Sequence, residues 1–110
     1  MNRSATAASE RNIQSAIIDR LRWHGWMVRE LSQPRAVSGS MVGMPDVIAF
    51  RHGHTLLIEC KSKKGKLRAS QHIFRAEILT HESSTLRYVV MNDVDAFARW
   101  LQAMQDSDEL

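Results

Sequence analysis

Apolar residues recur at Ile13, Ile17 and Leu21, one helical turn apart, between Ser9 and a stop at Gly25. That spacing puts all three on one face, so this stretch is predicted to be helical. The period then changes. "WMVREL" (26–31) reads as a short strand. Residues 32 to 44 read as loop, because Ser32, Pro34, Ser38, Gly39, Ser40 and Gly43 break any period. "DVIAFR" and "TLLIECK" read as strands on either side of His52-Gly53-His54. Ser70 is placed to cap a helix reaching about His81, and "HESST" (81–85) reads as a loop. "LRYVVM" (86–91) is a fourth strand. Asn92 is placed to cap a closing helix, with Asp93 and Asp95 in its favourable first turn. Its apolar stripe is Val94, Phe97, Ala98 and Leu101. The order α-β-β-β-α-β-α describes an α/β fold, a small mixed sheet flanked by helices.

The second and third strands carry the chemistry. A two-residue turn at His52-Gly53 needs positive φ at both positions, which Gly allows and His tolerates better than most residues. Arg51 then pairs with His54, Phe50 with Thr55, Ile48 with Leu57, and Asp46 with Glu59. Directly opposed residues have Cβ atoms roughly 5 Å apart. Lys61 falls on the same face, roughly 6–7 Å along the strand from Glu59. Cys60 points to the opposite layer. Two opposed carboxylates repel and raise each other's pKa unless something positive lies between them. A divalent cation meets that need, and oxygen ligands with water suit Mg²⁺ or Mn²⁺. The backbone carbonyl of Cys60 is a further available ligand.

Each of these residues also has a structural explanation. Pro-Asp commonly opens a turn, Glu59 ends an apolar strand, and Lys61 could guard a sheet edge. Three such explanations would have to coincide on one face. Glu10 heads the inward stripe of the first helix, three residues before Ile13, although first-turn acids also favour the helix dipole. Gln71 opens the stripe continued by Phe74 and Ile78.

Composition adds limits. The 110 residues make one domain, read as residues 9–104, with a frayed segment 1–8 and an acidic tail 105–110. No apolar run reaches the length of a membrane span, and the start has no signal-peptide core. The single cysteine, Cys60, excludes an internal disulfide and a cysteine zinc framework, so a reducing cytoplasmic setting is expected, in a bacterium or a phage-infected cell. The net charge of +3 hints only weakly at a polyanion. More telling is the run from Lys61 to Arg68, with five basic residues and no acid. By itself such a run reads as a solvated loop, but beside a carboxylate-bearing strand Lys63, Lys64, Lys66 and Arg68, with Arg35 in the long loop, become candidate contacts for a polyanion. Trp23, Trp26 and Trp100 lie at helix ends and read as core or interface residues.

"PD", twelve residues, then "ECK" resembles the PD-(D/E)xK nuclease superfamily. An early helical Glu, the Gly-Met-Pro-Asp strand start, the Glu-x-Lys strand and the Ser-Gln helix opening resemble its VRR-NUC branch, over roughly residues 9 to 102. So does the closing "RYVVMNDVDAFARWL". In size and layout the chain is also similar to archaeal Holliday-junction resolvases. The resemblance implies a restriction-endonuclease-like α-β-β-β-α-β core with an extra C-terminal helix. It implies metal ligands at Glu10, Asp46 and Glu59, a water-orienting or activating role for Lys61, and a supporting or phosphate-contacting role for Gln71. The "HESST" loop departs from the glycine that often ends this helix.

The expected function is metal-dependent hydrolysis of DNA phosphodiesters, with Lys61 stabilising developing charge rather than acting as the literal base. A four-way junction is nearly two-fold symmetric and needs two cuts, which a C2 homodimer matches. A junction-resolving homodimer is therefore the expected form. The alternatives are a flap, nicking or non-specific DNase on the same site, and a non-catalytic DNA-binding module.

Overall fold

A computed structural model of the protein describes residues 9–31 and 42–110. The segment expected to fray (1–8) and most of the long loop, Arg35 included, lie outside the described residues. The elements follow the expected order: α1 (Glu10–Trp23), β1 (Met27–Glu30), β2 (Val47–Arg51), β3 (His54–Cys60), α2 (Ala69–Leu79), β4 (Leu86–Met91) and α3 (Val94–Asp106).

α1 starts where the Ser9 hydroxyl accepts the Asn12 N–H at 3.1 Å. Glu10 in its first turn and Arg20 and Arg22 in its last complement the helix dipole. It ends in a Schellman turn: the Gly25 N–H bonds to the Arg22 carbonyl and the Trp26 N–H to the Leu21 carbonyl, both at 3.0 Å. That turn folds Trp26 into the core.

The four strands lie in the order β1-β2-β3-β4. The first three are antiparallel, and β4 runs parallel to β3 after the crossover through α2. Between β2 and β3, Arg51 opposes His54, Phe50 opposes Thr55 and Ile48 opposes Leu57, as the two-residue turn requires. His52 and Gly53 have φ of 49° and 84°, the left-handed pair expected of that turn.

Alternation then sorts the two faces. Val28, Val47, Ala49, Leu56, Ile58 and Cys60 are buried in a core with Ile13, Ile17 and Leu21 of α1 and Phe97 and Leu101 of α3. The opposite face carries Ile48 and Phe50 on β2 and Leu57 and Glu59 on β3. There α2 rests on β4, with the rings of Phe74 and Tyr88 5.9 Å apart. Residues 105–110 close α3 rather than hang from it. Asp108 takes φ 62°, the Glu109 N–H reaches the Met104 carbonyl at 2.8 Å, and Leu110 is buried.

Two local expectations are corrected. Ser70 is not the cap of α2, which runs from Ala69 to Leu79; Arg68 is the cap residue, and its N–H donates to the Gln71 side-chain Oε1 at 2.7 Å. Asn92 does not cap α3. The Asp93 carboxylate does so, accepting from the Asp95 and Ala96 N–H groups at 2.9 and 3.1 Å. Of the three tryptophans expected in the core or at an interface, Trp26 is buried and Trp100 partly so, and Trp23 is 82% exposed and outside the core.

Candidate active site

The strand pattern that buries Ile58 and Cys60 on one face turns Glu59 to the other. It does not, by itself, put Glu59 under cover. Burial comes from tertiary packing, in which Gln71 of the second helix meets it, and Glu59 is 1% exposed, an unusual place for a carboxylate. Asp46 stands just before β2. Its N–H donates to the Ile58 carbonyl at 3.1 Å, and its own carbonyl accepts the Leu31 N–H at 2.7 Å. The Leu31 bond continues the β1–β2 register by one residue, whereas the Asp46 bond to Ile58 falls one residue short of Glu59, so the β2–β3 ladder ends at Val47 and Ile58 and the expected Asp46–Glu59 pair is not part of it. With its backbone so pinned, the Asp46 side chain reaches β3, where Oδ2 accepts the Cys60 N–H at 2.8 Å.

Lys61 is buried as well. Its ammonium lies 3.8 Å from Glu59 Oε2 and 3.8 Å from Glu10 Oε1, and the Glu10 side chain is 44% exposed. The Lys61 N–H continues the sheet by donating to the Met91 carbonyl at 2.9 Å. Gln71, the only buried residue of α2, donates from Nε2 to Glu59 Oε2 at 3.1 Å. Its other end accepts the Arg68 N–H. Five residues singled out in the sequence, Glu10, Asp46, Glu59, Lys61 and Gln71, thus come together from α1, the β2 start, β3 and α2.

The electrostatics of this cluster are lopsided. Burial pushes the Glu59 carboxyl up to about 8, helped by the adjacent Asp46 carboxylate, while the Lys61 charge offsets only part of the rise. Burial and the same carboxylates push the Cys60 thiol far above its usual range, which leaves it unreactive. Tyr88 is pushed up to about 12, by burial and then by the Glu59 charge.

Glu59 Oε1 is buried and has no hydrogen-bond partner among the described residues. A buried carboxylate oxygen without a partner beside a second carboxylate fits a hard divalent cation. Asp46 and Glu59 would hold it, with the Cys60 carbonyl adjacent. Among the described residues no three His, Cys, Asp or Glu side chains form a ready-made cation cage. Glu10 joins the centre through the Lys61 ammonium, 3.8 Å from its Oε1.

The basic run leads directly out of this centre. Lys63, Lys64, Lys66 and Arg68 are all exposed. The loop is tethered at its base: the Gly65 N–H meets the Ser62 carbonyl at 2.9 Å, and the Lys63 ammonium lies 3.9 Å from the Asp93 carboxylate. That tether was not legible in the sequence, because Asp93 has an ordinary capping role that accounts for it. Gln71→Leu is expected to destabilise the protein by about 1–3 kcal/mol, since it strips a donor from buried Glu59 and an acceptor from the Arg68 N–H. Urea unfolding at neutral pH measures it; a change below about 0.5 kcal/mol, the size of an ordinary surface substitution, would mean these bonds contribute little.

A mixed sheet with an antiparallel β2–β3 hairpin, a helical crossover to parallel β4, and Asp46 and Glu59-Cys60-Lys61 at one end define the class. They are the marks of a restriction-endonuclease-like nuclease core of the PD-(D/E)xK type. Residues 1–96 match the family described as archaeal Holliday junction resolvase (Hjc), and the chain belongs to that family. A comparison with curated proteins found no match. The family is one of nucleases, so the chain is placed among endonucleases that act on branched DNA. No helix among the described residues is long and apolar enough to cross a membrane.

Proposed function

We propose that the protein is a divalent-cation-dependent endonuclease that cuts four-way DNA junctions as a homodimer. The observation that carries this reading is the buried Glu59 carboxylate, one oxygen without a partner, flanked by Asp46 and the Lys61 ammonium. Such an arrangement is costly in a domain of this size unless the charge is used. The Gly-Met-Pro-Asp strand start and the Ser-Gln opening of α2 support a closer kinship with the VRR-NUC branch of the superfamily.

A cation such as Mg²⁺ or Mn²⁺, when bound, polarises the phosphoryl group and acidifies water. The protein groups do the rest. Asp46 and Glu59 provide its carboxylate ligands, Gln71 fixes the rotamer of Glu59, and Glu10 supports Lys61 from the solvent side. Lys61 places a positive charge where the phosphorane oxygens gain negative charge. The water oxygen bonds to phosphorus, the bond from phosphorus to the leaving sugar oxygen breaks, and that oxygen takes up a proton. Lys63, Lys64, Lys66 and Arg68 neutralise backbone phosphates beside the cut without reading sequence. The two-fold symmetry of a junction and its need for two cuts favour a symmetric pair of copies.

Labelled four-way junction, linear duplex, flap and single strand, each with Mg²⁺, Mn²⁺ or EDTA, form the test. Paired symmetric cuts confined to the junction and lost in EDTA are expected. Metal-dependent cutting of every substrate would replace the resolvase with a less selective nuclease. No cutting at all would favour a non-catalytic DNA-binding role.

A further inference from the structure

We infer that Gly43 is a positioning residue for this centre: it lets the chain entering β2 lie directly against the first turn of α2, and so sets how closely Gln71 approaches Glu59. The inference rests on reading the centre as a nuclease site and adds a residue to it.

Gly43 has φ 86°, in the left-handed region. A Cβ added there would collide with the Ser70 carbonyl oxygen and lie 2.9 Å from the Ser70 carbonyl carbon and 3.4 Å from its Cβ. The first two atoms are helix backbone and cannot swing aside like the end of a side chain. Ser70 directly precedes Gln71, so whatever moves Ser70 moves Gln71.

The contacts around Gly43 close into a ring. Gly43 abuts Ser70, and Gln71 holds Glu59 at 3.1 Å. Cys60, next to Glu59, donates its N–H to Asp46 Oδ2 at 2.8 Å. Asp46 lies three residues after Gly43, with buried Pro45 between them. Away from this ring α2 is held to the sheet by β4. The ring therefore determines where the N-terminal end of α2 sits over the carboxylates. Carbon atoms in ordinary contact are about 3.5–4.0 Å apart, so a Cβ at Gly43 would drive the two segments apart by roughly 1 Å. A side-chain hydrogen bond of 3.1 Å does not survive such a stretch.

Backbone strain alone offers a simpler account of Gly43, and the protein contains its own control. Gly53 has nearly the same φ, 84°, but a Cβ there would meet nothing within 4 Å. An alanine at either position meets the same left-handed strain; only at Gly43 does it also meet α2.

The experiment compares Gly43→Ala, Gly53→Ala, Gln71→Ala and the Gly43→Ala/Gln71→Ala double variant in the full chain. Single-turnover junction cleavage is measured at saturating Mg²⁺, and junction affinity in EDTA. Gly43→Ala is expected to cleave about 10²-fold more slowly with affinity within about threefold of wild type, while Gly53→Ala cleaves normally. The double variant should be no slower than the slower single variant, because both changes break one linkage. Equal cleavage by the two alanine variants, or multiplied defects in the double variant, would overturn the inference. If Gly43→Ala does not fold, Gly43→Asn carries the same Cβ on a residue that accepts left-handed φ. Failure of both to fold would also overturn it, since the contact would then serve the fold rather than the centre. A wild-type protein that cuts no DNA rejects the nuclease reading instead. The positional claim is then judged by the Gln71 side-chain amide protons: slow exchange in wild type and Gly53→Ala, fast in Gly43→Ala. Equal exchange in all three rejects it.

Discussion

Lys61→Ala is expected to slow single-turnover cleavage of a four-way junction by about 10²–10³-fold, the usual effect of removing one pre-placed charge donor from a reacting centre. The reason is geometric. The ammonium is buried and held at 3.8 Å from both Glu10 and Glu59, so its position costs no reorganisation when charge develops on the phosphate. Water admitted by the truncation would be a mobile substitute of lower field strength. Junction affinity measured in EDTA should change little, because the exposed Lys63, Lys64, Lys66 and Arg68 supply the screened, long-range attraction. Lys61→Arg tests the geometry further: the charge is kept, but a planar guanidinium does not fit a space shaped for an ammonium. It should stay closer to alanine than to wild type. Wild-type rates in Lys61→Ala would remove this lysine from the mechanism.

The second large effect is on stability against pH. In the fold the Glu59 carboxyl holds its proton up to about 8, whereas its ordinary value is 4.5. Between those values the folded protein binds a proton that the unfolded chain has released. Stability therefore falls as pH rises through this window: the contribution is complete below the ordinary value and is lost as pH passes about 8. At about 1.4 kcal/mol per unit of displacement, the loss across the window amounts to a few kcal/mol. Urea midpoints in EDTA at pH 5.5 and pH 8.5 measure it, with Glu59→Gln as the comparison. Glutamine cannot ionise, so its profile should be flatter and its midpoint at pH 8.5 higher than wild type. Parallel profiles would mean that Glu59 is not the group responsible. Added Mg²⁺ should act in the opposite direction, stabilising wild type most at high pH, where the carboxylate is ionised, and leaving Glu59→Gln almost unmoved.

Those two effects share a cause. The end of the sheet that carries Asp46, Glu59 and Lys61 is built for chemistry at the expense of stability, with a buried acid, an oxygen without a partner and a lysine between carboxylates.

Much of this was legible in the chain itself. A four-residue apolar period is a local property, and it placed α1 and the stripe of α3. Alternation with a two-residue His52-Gly53 turn set the β2–β3 register from Val47–Ile58 to Arg51–His54 and put Glu59 and Lys61 on one face, while Asp46, just beyond the ladder, meets β3 through its side-chain bond to the Cys60 N–H. The order of elements followed from the same local periods. What the chain did not reveal depends on segments distant in sequence. Nothing in the alternation says that Glu59 is sealed from water, because that depends on segments distant in sequence, Gln71 of α2 among them. Gln71 could be placed on an inward stripe, but its bonds to Glu59 and Arg68 required the helix to start one residue before the expected cap. Trp23 and Trp26 are three residues apart, yet the turn at Gly25 leaves one in solvent and packs the other. Gly43 and Gly53 have almost the same φ, and only the packed α2 tells them apart. Local sequence determines which conformation each segment prefers and which face each side chain takes. Burial, and with it the shifted proton affinity of Glu59, arises only when separate segments exclude water together.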